Sequence, residues 1–368
     1  MASKILPGDI TQARRFATSV HPTQDEHAAE TSRAVVGHAR VRKAAELYDL
    51  TGKKQRIVLS NPDTAKKIVD VIGLNAMANV TVLDLYAGNG LLTQALLDHP
   101  SVDRVIAVEH VPVYTAEIER LVEANPGRLD HVALDPFWWD TYGVMRERGL
   151  LEHLSRKPWA EEQSQLLLTG LIPDNINGER LMVQQMSCIP GEMWLYDYGR
   201  FSSHWMVSED FKKRLSADVG TVERQKLSVL MESCVSISET LDGSHFQPHD
   251  GHFRSYRGKM RESGISLLKF APLKLRKMNT QQDLEILEFL SRNLFIHKQT
   301  PWSQSLKYLA PGAEIIAKLV QEEGHLIEKS KRPRDLTARE WGWLVNAFQK
   351  WPFRPTDLEQ SDVVEGLT

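Results

Sequence analysis

The spacing of apolar residues changes several times along this chain, and each change predicts an element. Asn61-Pro62-Asp63 is a helix-start signal. Behind it Ile68, Val71, Ile72 and Leu74 recur at helical spacing. Residues 80–86, Val-Thr-Val-Leu-Asp-Leu-Tyr, form a β-branched and apolar run that predicts a strand. Ala87-Gly88-Asn89-Gly90 reads as a tight turn and 91–97 as a helix. Residues 105–109 predict a second strand, 113–123 a helix, 131–134 a third strand ending at Asp135, and 165–168 a fourth strand. Strands alternating with helices predict an α/β fold, with a parallel sheet covered by helices on both faces.

Further along the spacing is helical. Leu284, Leu287, Leu290 and Leu294 share one face of a predicted helix over 283–294. Thr337-Ala338-Arg339-Glu340 is a capping box, and the helix behind it sets Trp341, Leu344, Phe348 and Trp351 on a stripe expected to be core. These patterns divide the chain into four parts. A polar segment covers 1–46, an α/β domain 47–275, a smaller helical C-terminal domain 276–356, and a flexible acidic tail 357–368.

Composition narrows the function. Apolar residues make up 42% and charged residues 25% of 368, ordinary proportions for a globular chain, and no apolar run approaches membrane-spanning length. The two cysteines, Cys188 and Cys234, cannot build a zinc cluster or a disulfide framework, which points to a reducing compartment and no metal. The net charge of −3 is unlike a protein that holds DNA alone through many phosphate contacts. Any nucleic-acid role must then use local patches or a partner that supplies positive charge.

Two such patches stand out. One is Lys329-Ser330-Lys331-Arg332-Pro333-Arg334; the other is Arg254, Arg257, Lys259 and Arg261. Each reads either as a solvated loop or as a contact to DNA phosphates. Arg14-Arg15-Phe16-Ala17-Thr18-Ser19, near an acid-poor start, reads either as the end of a mitochondrial presequence or as an ordinary tail.

The first strand-turn-helix carries candidate chemistry. A glycine turn lets backbone N–H groups approach a ligand, with a helix N-terminus behind them. Glu109, ending the second strand, is placed to accept from a ribose diol, and Asp135 from an adenine amine. With Asp84 these acids stand at successive strand ends, the layout of a nucleoside cofactor site. The same residues also suit a sheet that keeps this geometry without a ligand.

Several segments carry a resemblance. Val58-Leu59-Ser60-Asn61-Pro62 and Val82-Leu83-Asp84-Leu85-Tyr86-Ala87-Gly88-Asn89-Gly90 resemble the rRNA adenine dimethyltransferase family. Asp135-Pro136-Phe137-Trp138-Trp139-Asp140-Thr141-Tyr142 and Trp351-Pro352-Phe353-Arg354-Pro355 resemble its fungal mitochondrial transcription factor B branch. The resemblance implies a Rossmann-like S-adenosylmethionine methyltransferase fold. The cofactor positions it implies are Leu59, Tyr86, Gly88, Gly90, Glu109 and Asp135, with S-adenosylmethionine not required for function. It also implies a mitochondrial initiation factor, monomeric when free, that joins the mitochondrial RNA polymerase, helps recognise and melt promoter DNA, and stabilises the open non-template strand. The alternative it leaves is a mitochondrial small-subunit rRNA adenine dimethyltransferase, with mitochondrial rRNA as partner.

Departures from the enzyme pattern favour the first implication. Active members of the family carry Asn-Leu-Pro-Tyr after the fourth strand, whose Asn and aromatic ring hold the target adenine. Here the stretch is Thr169-Gly170-Leu171-Ile172-Pro173-Asp174, so Gly170 is expected at the Asn position and Asp174 near the aromatic one. Tyr86 stands where active enzymes have a glycine. No catalytic residue is therefore assigned. In the aromatic segment Phe137 and Trp139 are expected to stack on unpaired bases, and Trp138 and Tyr142 to be core. Arg254, Arg257, Lys331, Arg332 and Arg334 complete the expected nucleic-acid contacts.

Overall fold

The structure, a computed structural model, describes residues 56–255, 264–275, 278 and 280–358. The expected presequence, Arg257, Lys259 and Arg261, and most of the expected tail lie outside these residues. The chain order is β1 (Ile57–Leu59), α1 (Pro62–Val71), β2 (Val80–Leu85), α2 (Leu91–Leu97), β3 (Val102–Val108), α3 (Pro112–Ala124), β4 (Leu129–Val132), α4 (Trp139–Glu147), β5 (Leu166–Leu171) and α5 (Ile176–Ser187). There follow β6 (Ser203–Ser208), α6 (Glu209–Leu215), α7 (Lys226–Cys234), β7 (Val235–Leu241), β8 (Phe253–Ser255) and β9 (Ile265–Pro272). The last helices are α8 (Gln281–Ile296), α9 (Trp302–Ser305), α10 (Ile315–Glu322) and α11 (Ala338–Lys350).

Seven strands form one sheet in the order β4-β3-β2-β5-β6-β9-β7, and β1 pairs with β8 in a separate ribbon. The ladders from β4 to β6 are parallel, and β9 runs antiparallel to β6. All six residues of β2 and all six of β5 are buried, as expected for strands covered on both faces. The chain leaves β2 toward β3 on one side and later returns to β5 on the other. A crevice therefore opens beyond the carboxyl ends of β2 and β5, the usual ligand position in such sheets.

Local signals explain the element starts. Asn61 caps α1, its Oδ1 accepting from the Asp63 N–H at 2.9 Å, with Pro62 opening the helix. The third strand lies earlier than the sequence predicts. Pairing of Leu129 with Val105 and Val132 with Val108 fixes its register, which leaves Asp135 beyond the strand rather than at its end.

Contacts divide the chain into two units. The first takes residues up to Gln184 with Trp194–Phe211 and Ser238–Ala271; the second takes Gln185–Met193, Lys212–Ile237 and everything from Pro272. The helical unit thus includes earlier segments besides the part after 275, because α7 packs on α8 and α11. Within it Leu284, Leu287, Leu290, Leu294, Trp341, Leu344, Phe348 and Trp351 are all buried, as their stripes predict. The expected capping box is formed, Thr337 Oγ1 accepting from the Glu340 N–H at 3.2 Å.

Candidate functional site

The turn after β2 keeps an unusual backbone. Tyr86, Gly88 and Gly90 have φ of 58°, 59° and 77°, all in the left-handed region. A side chain on Gly88 would place its Cβ 3.1 Å from Val58 Cγ1, and one on Gly90 would lie 2.6 Å from Leu121 Cδ1. Packing against the chain itself therefore accounts for both glycines. Tyr86 is the exception: it holds a conformation natural to glycine, at a cost on the order of 1 kcal/mol or more.

The carboxylates at this end of the sheet face inward. Glu109 is fully buried and bonds Arg56, its Oε2 lying 2.9 Å from Nη2. Glu109 also accepts from the backbone N–H of Gly88 at 2.9 Å, His110 at 3.0 Å and Val111 at 2.9 Å. A carboxylate offers about four acceptor positions, and this set uses them. Burial alone would push the Glu109 carboxyl up. The Arg56 guanidinium, the Val111 N–H and His110 outweigh it and hold Glu109 below the ordinary glutamate value.

Asp135 is engaged in the same way. Its Oδ1 accepts from the Tyr86 hydroxyl at 3.0 Å and from the Phe137 N–H at 3.0 Å, while His110 Nε2 lies 3.7 Å from Oδ2. Arg56 ties the two ends together. It donates to the Tyr86 carbonyl at 3.1 Å and stands over the Tyr86 ring, 4.8 Å from its centroid.

Beside these groups lies a cleft with a free volume of about 10 Å³, lined by Ile57, Val58, Leu59, Asp84, Tyr86, Ala87, Gly88, Leu92, Leu171 and Met206. That is room for about one water molecule. Of the six expected cofactor positions, Leu59, Tyr86 and Gly88 line the cleft; Gly90, Glu109 and Asp135 do not. Leu59 contributes its backbone as well, its carbonyl accepting from Asn89 Nδ2 at 2.8 Å. Glu109, the acid expected to meet a ribose, is saturated by the chain's own donors, and Tyr86 reaches Asp135, so these residues do not fit S-adenosylmethionine as they stand. Asp84, buried in the cleft wall, keeps its Thr93 hydroxyl donor at 2.7 Å, and burial raises its carboxyl to about 7.

The target-base position needs correction. Gly170 is an interior residue of β5 paired with Leu85, and a Cβ on it would sit 2.0 Å from the Leu85 carbonyl oxygen. No side chain belongs there. Counting back two residues from Pro173, the Asn of Asn-Leu-Pro-Tyr corresponds to Leu171, which faces the cleft. The chemical outcome stands, since Leu171 has no amide to offer a base.

The aromatic segment also departs from expectation. The Asp135 side chain accepts from the Phe137 N–H, and the Trp138 N–H donates to the Asp135 carbonyl at 3.0 Å. This Asx-type turn carries Phe137 inward, to 8% exposure, where Gln184 Nε2 donates to its carbonyl at 3.0 Å. Trp138, expected in the core, is 39% exposed instead. Trp139 is half-buried at the start of α4, edge-on to Trp194 with ring centroids 5.1 Å apart. Tyr142 is buried as expected, and its hydroxyl donates to the Pro136 carbonyl at 2.7 Å.

The basic candidates are largely compensated. Lys331 Nζ lies 2.6 Å from Glu340, Arg332 Nε 3.0 Å from Asp335, and Arg334 Nε 3.9 Å from the same Asp335. None of the three is fully exposed. Arg254, in β8, is exposed. Among the described residues no cluster of His, Cys, Asp and Glu could hold a metal, and no helix is long and apolar enough to cross a membrane.

Comparison with known proteins places this geometry. A family model described as ribosomal RNA adenine dimethylase matches residues 54–341. Mitochondrial transcription factor 1 of Lachancea kluyveri is 28% identical over 295 residues, covering 76% of this chain and 83% of its own. The protein of the same name from Saccharomyces cerevisiae is 26% identical over 318 residues, covering 82% and 90%. The human mitochondrial dimethyladenosine transferase 1 is 24% identical over 321 residues, covering 84% of each chain. Among solved structures, a dimethyladenosine transferase from Plasmodium falciparum shares the fold, with a TM-score of 0.54 and 16% identity over 80% of this chain and 97% of that one.

Proposed function

The chain belongs to the ribosomal RNA adenine dimethylase family, and from that premise we propose that it is a mitochondrial transcription initiation factor in which the family's methyl-transfer site has been closed. The observation that carries this reading is the pair of acids at the cleft: Glu109 is held by Arg56, and Asp135 by Tyr86. Glu109 has no acceptor left for a ribose diol, and the Tyr86 hydroxyl takes Oδ1 of Asp135. Leu171 and Asp174 remove the amide and the ring that would hold a target adenine. The relatives named mitochondrial transcription factor 1 support the transcription role and the mitochondrial location. The relatives named dimethyladenosine transferase support the enzyme reading, but the side chains of this cleft oppose it.

The partner in this proposal is the mitochondrial RNA polymerase, bound together with promoter DNA. Polymerase supplies the positive charge that a chain of net charge −3 lacks. The exposed face of Trp138, with Trp139 beside it, stacks on bases unpaired near the start site, at about 1–3 kcal/mol per base. Arg254 contributes to the backbone contact. A mobility-shift series at physiological salt tests the partner dependence. The chain alone should bind promoter duplex weakly and with little preference, and selective binding should need polymerase. Tight, promoter-selective binding by the chain alone would contradict the proposal.

A further inference from the structure

We infer that Arg56 and Tyr86 act as one internal plug that takes the place of a nucleoside beside this cleft, an inference that rests on the proposed closure of the methyl-transfer site. Three observations join them. Arg56 takes the Glu109 acceptor that the backbone donors leave with a buried guanidinium, only 4% of its side chain being exposed. The Tyr86 hydroxyl meets Asp135, the position an adenine amine would take in a nucleoside site of this layout. The same Arg56 bonds the Tyr86 carbonyl and covers its ring, so neither group leaves without the other losing a partner.

The Tyr86 backbone is the place to test the plug. Tyr86 keeps φ of 58°, a conformation that glycine adopts without strain. A glycine at this position would keep the turn without strain. Glu109 also retains its three backbone donors from Gly88, His110 and Val111, so the carboxylate stays oriented whether or not Arg56 is present. The frame of the site is intact beneath the plug. Arg56→Ala vacates the diol side, and Tyr86→Gly vacates the amine side while relaxing the turn. Together they expose a latent site for an adenine nucleoside with an attached amino-acid tail.

The test is calorimetric titration of S-adenosylhomocysteine into the full chain, Arg56→Ala, and the double variant Arg56→Ala/Tyr86→Gly. The unaltered chain should show no saturable binding. The double variant should bind saturably, and at least about tenfold more tightly than Arg56→Ala, since the hydrogen bonds restored are to charged groups. Micromolar binding by the unaltered chain would overturn the inference. So would a double variant that melts cooperatively yet binds no better.

If the double variant does not fold alone, melting of Arg56→Ala decides. Its midpoint should fall by about 10 °C, because Glu109 is left buried without its cation. Added ethylguanidinium should recover several degrees in this variant and none in the unaltered chain. No recovery would reject the plug. These measurements contain neither polymerase nor DNA, so their outcome is separate from that of the initiation role.

Discussion

Two regions of the first unit begin at one carboxylate and take opposite courses. On one side, Asp135 accepts the Tyr86 hydroxyl beyond the end of β2. On the other, the same Asp135 turns the chain so that Trp138 reaches the surface three residues later. The cleft has become a place where side chains satisfy one another. The segment beyond it presents an aromatic face. At the cleft the polar groups face one another, and Trp138 is exposed a short way along the chain from Asp135.

The strongest way to break the cleft side is Arg56→Ala. Removing one partner of a buried ion pair leaves Glu109 charged and unpaired, at a cost of about 3–5 kcal/mol. Glu109→Gln added to Arg56→Ala should recover part of that loss, because a neutral amide replaces the stranded charge. Denaturant melts of both variants measure the difference. Equal stability of the chain with and without Arg56 would show that the pair does not hold the cleft.

The surface side is sharpened by Trp138→Ala and Trp139→Ala together. If each ring contributes about 1–3 kcal/mol, open-complex population on a linear duplex promoter should fall tenfold or more. A template mismatched around the start site needs no capture of bases and should be transcribed nearly normally. Trp138→Ala alone should lower the melting midpoint little, since the ring is 39% exposed. Equal loss on both templates would assign these rings to packing.

A third expectation concerns pH. Burial raises the Asp84 carboxyl to about 7, above its ordinary value of 3.8. The folded state therefore binds a proton that the unfolded chain releases, and this group lowers stability as pH rises from about 4 to about 7. Asp84→Asn removes the titrating group but keeps an oxygen for the Thr93 hydroxyl. The variant should gain on the unaltered chain at pH 8 and differ less at pH 5. A constant difference across that range would contradict the assignment.

The smallest effect is expected from the basic run. Arg332 is paired with Asp335, an exposed type of pair worth about 0–1 kcal/mol. Arg332→Ala should change DNA affinity of the polymerase complex less than Arg254→Ala, whose side chain is exposed. Salt-dependent mobility shifts compare them. A lost phosphate contact lowers the slope by about one.

Much of this fold is legible along the chain because it is local. The Asn61 cap, the β2 run, the turn at Gly88 and Gly90, and the Thr337–Glu340 box each lie within a few residues of what they control. The acids at 84, 109 and 135 are legible for the same reason. What sequence hides is which partner each side chain finds. Arg56 lies 53 positions from Glu109, and nothing local marks it as that acid's counter-ion. The inward turn of Phe137 depends on a side-chain-to-backbone bond from Asp135, invisible to hydropathy. Gly170 looks like a lost asparagine until its strand neighbour Leu85 leaves it no room for a Cβ. The earlier segments of the helical unit escape notice because contacts with distant helices define them.

The most direct measurement is promoter-dependent run-off transcription with the cognate mitochondrial RNA polymerase, on linear duplex and on pre-melted templates, with S-adenosylhomocysteine present or absent. The account predicts that the duplex template needs this chain, that the pre-melted template does not, and that the nucleoside changes neither result. No stimulation on duplex promoters, together with stoichiometric dimethylation of adjacent adenines when the chain meets unmethylated small-subunit rRNA and labelled S-adenosylmethionine, would contradict it.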